Sequence, residues 1–244
     1  MLSFQKKVGE TPLEMLNRLR IEQPDFKDSK LSYAGRLDPM AEGEMLVLVD
    51  EENKDYKEYL GYDKEYEATF LLGIETDTGD ALGLIQNFIK SDEYGMFLEK
   101  EFQNVLKEEV KNLKEIKKQK YPWFSSMVVD GLKLFDHFKR GNLDIKRPTR
   151  DVNIKEIELL SIEKESKENL GKYISENISK INGEFRQTEI IKKWEKYFAD
   201  DAPDFILTFS VKIKVSTGTY IRGLTENFNE PTMLLKLKRT KVFV

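Results

Sequence analysis

Asp38 is the residue of this 244-residue chain whose setting most invites chemistry. It lies within Ser32-Tyr33-Ala34-Gly35-Arg36-Leu37-Asp38-Pro39-Met40-Ala41-Glu42-Gly43, ahead of the apolar run Met45-Leu46-Val47-Leu48-Val49. Pro39 disfavours helical backbone at the residue before it, which predicts Asp38 on an extended or turning loop. Gly35 and Gly43 bracket that loop and permit positive φ or close backbone approach. A carboxylate presented in this way can attack the anomeric carbon of a sugar, as in retaining glycosidases, where it traps an oxocarbenium-like centre. An Asp-Pro pair is also a common way to open a turn, and the loop alone does not separate the two readings.

Two further residue types would serve such a carboxylate. Arg222, closing Ser216-Thr217-Gly218-Thr219-Tyr220-Ile221-Arg222, offers a permanent charge and a bidentate grip, or else a surface ion pair. Tyr66, in Lys64-Glu65-Tyr66-Glu67, is either a platform on which a base stacks or a tyrosine on the core side of a strand. The chain has no cysteine and a single histidine, His137, which excludes thiol catalysis and weighs against zinc. His137 sits among Leu134, Phe135 and Phe138 as one turn of an amphipathic helix, a structural or surface position. Walker-type and Gly-x-Gly-x-x-Gly loops are missing, which is consistent with chemistry that needs neither metal nor cofactor.

Thr11-Pro12-Leu13-Glu14 is a capping box with proline at the first helical position, and Leu13, Leu16 and Leu19 continue a stripe. Strands are predicted at Met45 to Val49, at Tyr66 to Leu72 and around Leu84 to Phe88, with the hydroxyl- and carboxylate-rich turn Thr76-Asp77-Thr78-Gly79-Asp80 between the last two. The pattern turns helical from about Asp92 to Lys118 and breaks at Tyr121-Pro122-Trp123-Phe124. A strand at Ser125 to Val129, a short helix from Leu132 to Phe138 stopped by Gly141, and a strand from Val152 to Ile162 follow. Residues 163 to 202 are polar and read as an inserted pair of helices without assigned function. Phe205 to Val215 alternates cleanly and delivers Arg222 near its end, and a short helix and a basic strand finish the chain. Mixed elements without regular βα alternation predict an α+β fold.

A hydrophobic content of 39% is enough for a core, and no apolar run approaches the length of a membrane span. The amino terminus lacks a signal-peptide h-region, and the expectation is a cytoplasmic protein. A net charge of -4 argues weakly against nucleic acid, but the charges are segregated. Lys133, Lys139, Arg140, Lys146, Arg147 and Arg150 fall close together, and Lys236, Lys238, Arg239 and Lys241 follow the last acid, Glu230. A segregated surface can bind RNA despite an acidic total.

Taken together, Gly35-Arg36-Leu37-Asp38-Pro39-Met40-Ala41-Glu42-Gly43, Lys64-Glu65-Tyr66, Thr76-Asp77-Thr78-Gly79-Asp80 and Gly218-Thr219-Tyr220-Ile221-Arg222 resemble the TruB family of tRNA pseudouridine synthases. The match spans most of residues 6 to 162 and resumes from about 204. The resemblance implies the pseudouridine synthase-like fold, a central mostly antiparallel sheet with flanking helices and RNA-binding loops. It implies isomerisation of a flipped-out uridine in the tRNA T-loop, at position 55, with Asp38 as nucleophile, Tyr66 as active-site aromatic and Arg222 as partner of Asp38. The bond from N1 to C1′ breaks, the uracil turns, and C5 joins C1′, with no redox change. Leu237, before Lys238-Arg239-Thr240, corresponds to a leucine that lines the uracil pocket. Tyr121 to Ser126, with Gly131 and the helix after it, is similar to the family's RNA-clamping segment, which brings in Lys133, Lys139, Arg140 and Arg147, and the basic tail adds Arg239, as RNA-phosphate contacts beside the substrate-binding Tyr33, Gly35 and Arg36.

The sequence departs from the family's pattern in three places. Tyr33 stands where a histidine is usual and cannot become cationic. Val128 replaces a lysine of the clamp. The chain is expected to be one catalytic domain over residues 1–244, with the insertion at about 163–202 and no carboxy-terminal PUA-like domain. The expected partner is the T-arm of tRNA, with no membrane, no protein partner and a monomeric state. Other readings are an RNA-binding or tRNA-folding module, a synthase acting on another RNA loop, and a sugar hydrolase using Asp38 and Glu42.

Overall fold

A computed structural model describes residues 2–244. In chain order it holds β1 (Leu2–Lys6), α1 (Pro12–Glu22), β2 (Leu31–Ala34), β3 (Ala41–Val49), α2 (Tyr56–Gly61), β4 (Asp63–Leu72), β5 (Ile74–Thr76), β6 (Ile85–Phe88) and α3 (Lys100–Asn112). There follow β7 (Lys118–Lys120), β8 (Val128–Val129), β9 (Leu132–Lys133), α4 (Leu134–Lys139), β10 (Thr149–Asp151), β11 (Ile154–Ser166), α5 (Lys167–Ile178), α6 (Gln187–Asp200), β12 (Phe205–Val215), a 3₁₀ turn (Ile221–Asn227) and β13 (Thr232–Phe243).

Local signals explain several of these bounds. The Thr11 hydroxyl accepts from the Glu14 N–H while the Glu14 carboxylate accepts from the Thr11 N–H at 2.7 Å, the reciprocal cap that starts α1. Its buried face is Pro12, Met15, Leu16 and Leu19, and Leu13 is exposed. Steps of three residues drift around a helix of 3.6 residues per turn, which carries Leu13 off the stripe. The segment from Ser125 is a strand only at Val128–Val129, paired with Leu132–Lys133. Asp130 and Gly131, with φ of 48° and 78°, form the tight turn between them, and no longer strand lies alongside.

Seven strands build the central sheet in the order β1-β3-β13-β4-β12-β11, with β2 also paired to β3. Every pairing is antiparallel except β13 with β3, where Leu237, Lys238 and Arg239 run parallel to Ala41, Glu42 and Gly43. Gly43, at φ 112°, is what lets β13 pass: a Cβ there would lie 2.2 Å from the Arg239 carbonyl oxygen.

Two large apolar clusters cover the sheet, and a small third one joins Ala34, Leu46, Leu48 and Val242. The first joins Met15, Leu16 and Leu19 of α1, Leu106 and Val110 of α3, and Tyr66, Ala68 and Phe70 of β4 to Leu37, Ala41, Ile221 and Leu224. The second packs Met40, Leu71, Leu72, Ala81 and Leu82 against Ile174 and Ile178 of α5 and Ile190 and Trp194 of α6. β13 feeds both, Leu234 to the first and Met233 and Leu235 to the second. The polar 163–202 stretch is therefore a structural layer, with β11 extending into its start and α5 and α6 burying one stripe each. This layer also covers the second face of β12 at its start, so Ile206 and Thr208 are buried where simple alternation would expose them.

Candidate active site

The hairpin arms β2 and β3 hold the Asp38 loop, with φ of 82° at Gly35 and 112° at Gly43 as the bracketing glycines require. The loop closes on itself through the Ala41 N–H, which donates to the Asp38 carbonyl at 3.0 Å. Behind it, buried Lys6 directs its ammonium to the carbonyls of Ala41 at 2.5 Å, Lys7 at 3.0 Å and Pro39 at 3.4 Å. Burial pulls the Lys6 pKa down to about 8, against the attraction of Glu10, Asp38 and Glu14.

Arg222 and Asp38, 184 residues apart in sequence, meet with Nε donating to Asp38 Oδ2 at 2.9 Å. The arginine side chain is 6% exposed and the aspartate 46%, so a buried cation holds a carboxylate that still faces solvent. The grip is single rather than bidentate because the other two nitrogens are engaged elsewhere. Nη1 donates to the Thr78 carbonyl at 2.8 Å and Nη2 to the Phe124 carbonyl at 2.7 Å. Three separate segments, the Asp38 loop, the Thr76–Asp80 turn and the Tyr121–Ser126 stretch, thus converge on one guanidinium.

A second carboxylate stands beside this pair. Asp80 is buried and accepts from Thr78 Oγ1 at 2.7 Å and from the Leu82 N–H at 3.0 Å. Its burial pushes its pKa up to about 6, against the pull of the Arg222 charge and with a further push from Asp38. Burial disfavours the Arg222 cation too, but Asp38 and Asp80 more than offset this and its pKa is raised. Gly79, at φ 76°, lets the turn approach: a Cβ there would lie 2.7 Å from the Arg222 carbonyl oxygen.

Of the other residues singled out in the sequence, Tyr66 is buried on β4 in the cluster that also contains Leu37 and Ile221, the neighbours of Asp38 and Arg222. Half-buried Tyr33 and Leu237 pack against the same cluster, and Leu237 pairs with Ala41 across the sheet. Gly35 is half-buried and Arg36 exposed. Lys133, Lys139 and Arg140 are exposed around α4, with both lysine ammonium groups 5.5 Å from the centroid of the Phe135 ring. Arg147 lies over Trp123 and makes a two-pronged ion pair with Glu226 at 2.8 and 2.9 Å. Arg239 is placed differently from the sequence-based expectation of a phosphate contact. It is 1% exposed on the central strand β13 and donates to the carbonyls of Glu44 and Gly35, which fixes the back of the Asp38 loop and leaves no face for an anion. His137 is buried, its Nε2 2.9 Å from the Val129 carbonyl oxygen.

Sequence reasoning did not single out Asp80, Lys6 or the Thr78 and Phe124 carbonyls. Asp80 belonged to a quoted motif and its signal was available. The carbonyls carry no side-chain signal at all.

The fold has a counterpart among solved structures. The chain superposes on one from the crystal structure of a Cbf5-Nop10-Gar1 complex with a TM-score of 0.51 at 17% identity, covering 98% of this chain and 48% of that one. The likeness is one of fold. Residues 23–178 match the profile described as TruB family pseudouridylate synthase (N terminal domain), and the chain belongs to the TruB family. The tRNA pseudouridine synthase B of Psychrobacter cryohalolentis is 30% identical over 189 residues, which cover 73% of this chain and 50% of that protein. That of Fusobacterium nucleatum is 31% identical over 159 residues, 64% of this chain and 50% of the relative. That of Lactococcus lactis subsp. cremoris SK11 aligns over 98% of this chain and 60% of its own length at 26% identity. The chain spans about half the length of the first two of these relatives.

Proposed function

We propose that this chain is a tRNA pseudouridine synthase that isomerises a uridine of the T-loop, with Asp38 as the nucleophile. The observation that carries the reading is the pair itself: a carboxylate 46% exposed, aimed by an arginine 6% exposed at 2.9 Å. Burying the cation fixes its direction, and leaving the anion accessible lets it meet a substrate atom. Arg222 needs no rearrangement for this, because Thr78 and Phe124 already hold its other nitrogens. In this reading Tyr66 and Leu237 line the place of the extruded uracil and Tyr33 stands at its entrance. Exposed Arg36, Lys133, Lys139 and Arg140 take the phosphates of the splayed loop. Arg147, whose charge Glu226 already meets, positions Trp123 instead. The chain acts in this reading as one catalytic domain.

The test is incubation of purified protein with unmodified tRNA transcript, with pseudouridine mapped at single-nucleotide resolution beside Asp38→Asn. Product confined to the T-loop and absent with the variant is the expected result. Tight tRNA binding without product from the wild-type chain would refute the isomerase and leave an RNA-binding module.

A further inference from the structure

The α5–α6 pair supplies no residue to the site described above, yet it sends one charged side chain to the turn that holds Arg222. Arg186, in the connection between the two helices, has φ 62° and ψ 23°, the left-handed region that residues other than glycine rarely adopt. Its guanidinium grips Asp77 with two prongs, Nη1 to Oδ2 at 2.7 Å and Nη2 to Oδ1 at 3.2 Å. The Asp77 side chain is 1% exposed and also accepts from the Leu84 N–H at 2.9 Å, so the loop carrying it is clamped from both sides. The same guanidinium lies over the ring of Phe124, its Cζ 4.7 Å from the centroid.

The two residues that Arg186 fastens flank the two carbonyls that hold Arg222. Asp77 precedes Thr78, and Phe124 offers its own carbonyl. We propose that Arg186 is a positioning residue: by fixing the Thr76–Asp80 turn and Phe124 together, it sets the direction of Arg222 and through it the Asp38 carboxylate. Arginine suits this task and lysine does not, because a planar fork can meet a carboxylate edge-on and lie against a ring at the same time.

The rest of the helical pair is arranged to keep Arg186 in register with the site. Trp194 Nε1 donates to the Ala81 carbonyl at 3.2 Å, at the far side of the same turn. Met40, two residues after Asp38, is buried in the cluster formed with Ile174, Ile178, Ile190 and Trp194. The Gly9 N–H donates to the Pro39 carbonyl at 2.9 Å, and Gly9 lies so close to Lys180 that a Cβ there would stand 2.7 Å from the lysine Cβ. Both loops of the site therefore rest on this layer. A plain stability brace would share these contacts but not the connection to Arg222, and that difference is measurable.

The inference rests on the proposed function only for its kinetic readout. The variants are Arg186→Lys, Arg186→Gln and the double change Asp77→Asn with Arg186→Gln, which removes the stranded buried carboxylate and so recovers the fold. Single-turnover pseudouridine formation, tRNA Kd and thermal melting are measured for each, well below its transition. Arg186→Gln is expected to slow the single-turnover rate about 10- to 100-fold with Kd within about threefold, the signature of misplacement remote from the reacting atoms. Arg186→Lys falls between, and the double variant melts near the wild type but stays slow. A double variant that melts normally and reacts at the wild-type rate overturns the proposal, as does a loss confined to Kd. If the wild type forms no pseudouridine, the proposed function fails, and the Arg222 Nε–H resonance, assigned with Arg222→Lys, still decides the inference. A shifted resonance in Arg186→Gln supports it, and an unchanged one overturns it.

Discussion

Asp80 sets burial against attraction, and the contest can be measured. Its carboxylate is 7% exposed and accepts two hydrogen bonds, while the Arg222 charge pulls its pKa down. Burial wins and leaves the pKa at about 6. Because the folded value lies above the unfolded one, the folded chain binds more protons between roughly pH 4 and 6. The associated stability is fully present below that window and is lost as pH rises through it. A rise of this size corresponds to roughly 3 kcal/mol over the whole window, of which roughly 1 kcal/mol falls between pH 5 and 7. Asp80→Asn keeps an oxygen for the Thr78 hydroxyl and the Leu82 N–H but cannot ionise. Urea unfolding of both proteins at pH 5, 6 and 7, at one ionic strength, should show the wild type losing stability relative to the variant as pH rises. A difference that stays flat, or that moves in favour of the wild type, would mean that Arg222 outweighs burial and that the reasoning is wrong.

Three other perturbations test the same construction. Arg222→Lys keeps a charge but cannot donate in three fixed directions, and with each unmade buried bond costing about 1–3 kcal/mol, urea unfolding should report a loss of roughly 2–4 kcal/mol. Lys6→Met removes a group whose folded pKa is depressed, so the wild type should gain on the variant as pH rises from about 8 toward the ordinary lysine value, by up to roughly 3 kcal/mol in paired melts. Gly79→Ala puts a Cβ against the Arg222 carbonyl at a positive φ, and a destabilisation of about 1–3 kcal/mol with a slower single-turnover rate is expected.

What the sequence disclosed follows the range over which each signal acts. The α1 cap is written in four adjacent residues and the span of β12 in its alternation, and both elements stand where the pattern puts them, although at the start of β12 Phe205 is exposed and Ile206 and Thr208 are buried. The Asp38–Arg222 pair spans 184 residues and was legible only because its two segments carry recognisable wording. The Asp77–Arg186 pair spans 109 residues and was silent, since nothing around Arg186 distinguishes it from a surface cation. Arg239 misled for a related reason. A basic run near the chain's end reads as exposed, but strand order places β13 in the middle of the sheet, and strand order is not a local property. The 163–202 stretch looked polar because a helix needs only one apolar stripe to form a core.

That strand order also governs when the site can exist. β13 follows every other strand in the chain and lies between β3 and β4, and its Arg239 reaches back 204 residues to hold the Gly35 carbonyl. Until it inserts, β3 with the Asp38 loop and β4 with Tyr66 belong to two half-sheets with open inner edges. Such non-local closure is slow, and unpaired inner edges invite association between chains. During synthesis both half-sheets therefore wait for β13 to emerge and insert. In that interval the unpaired inner edges of β3 and β4 are where one nascent chain can pair with another.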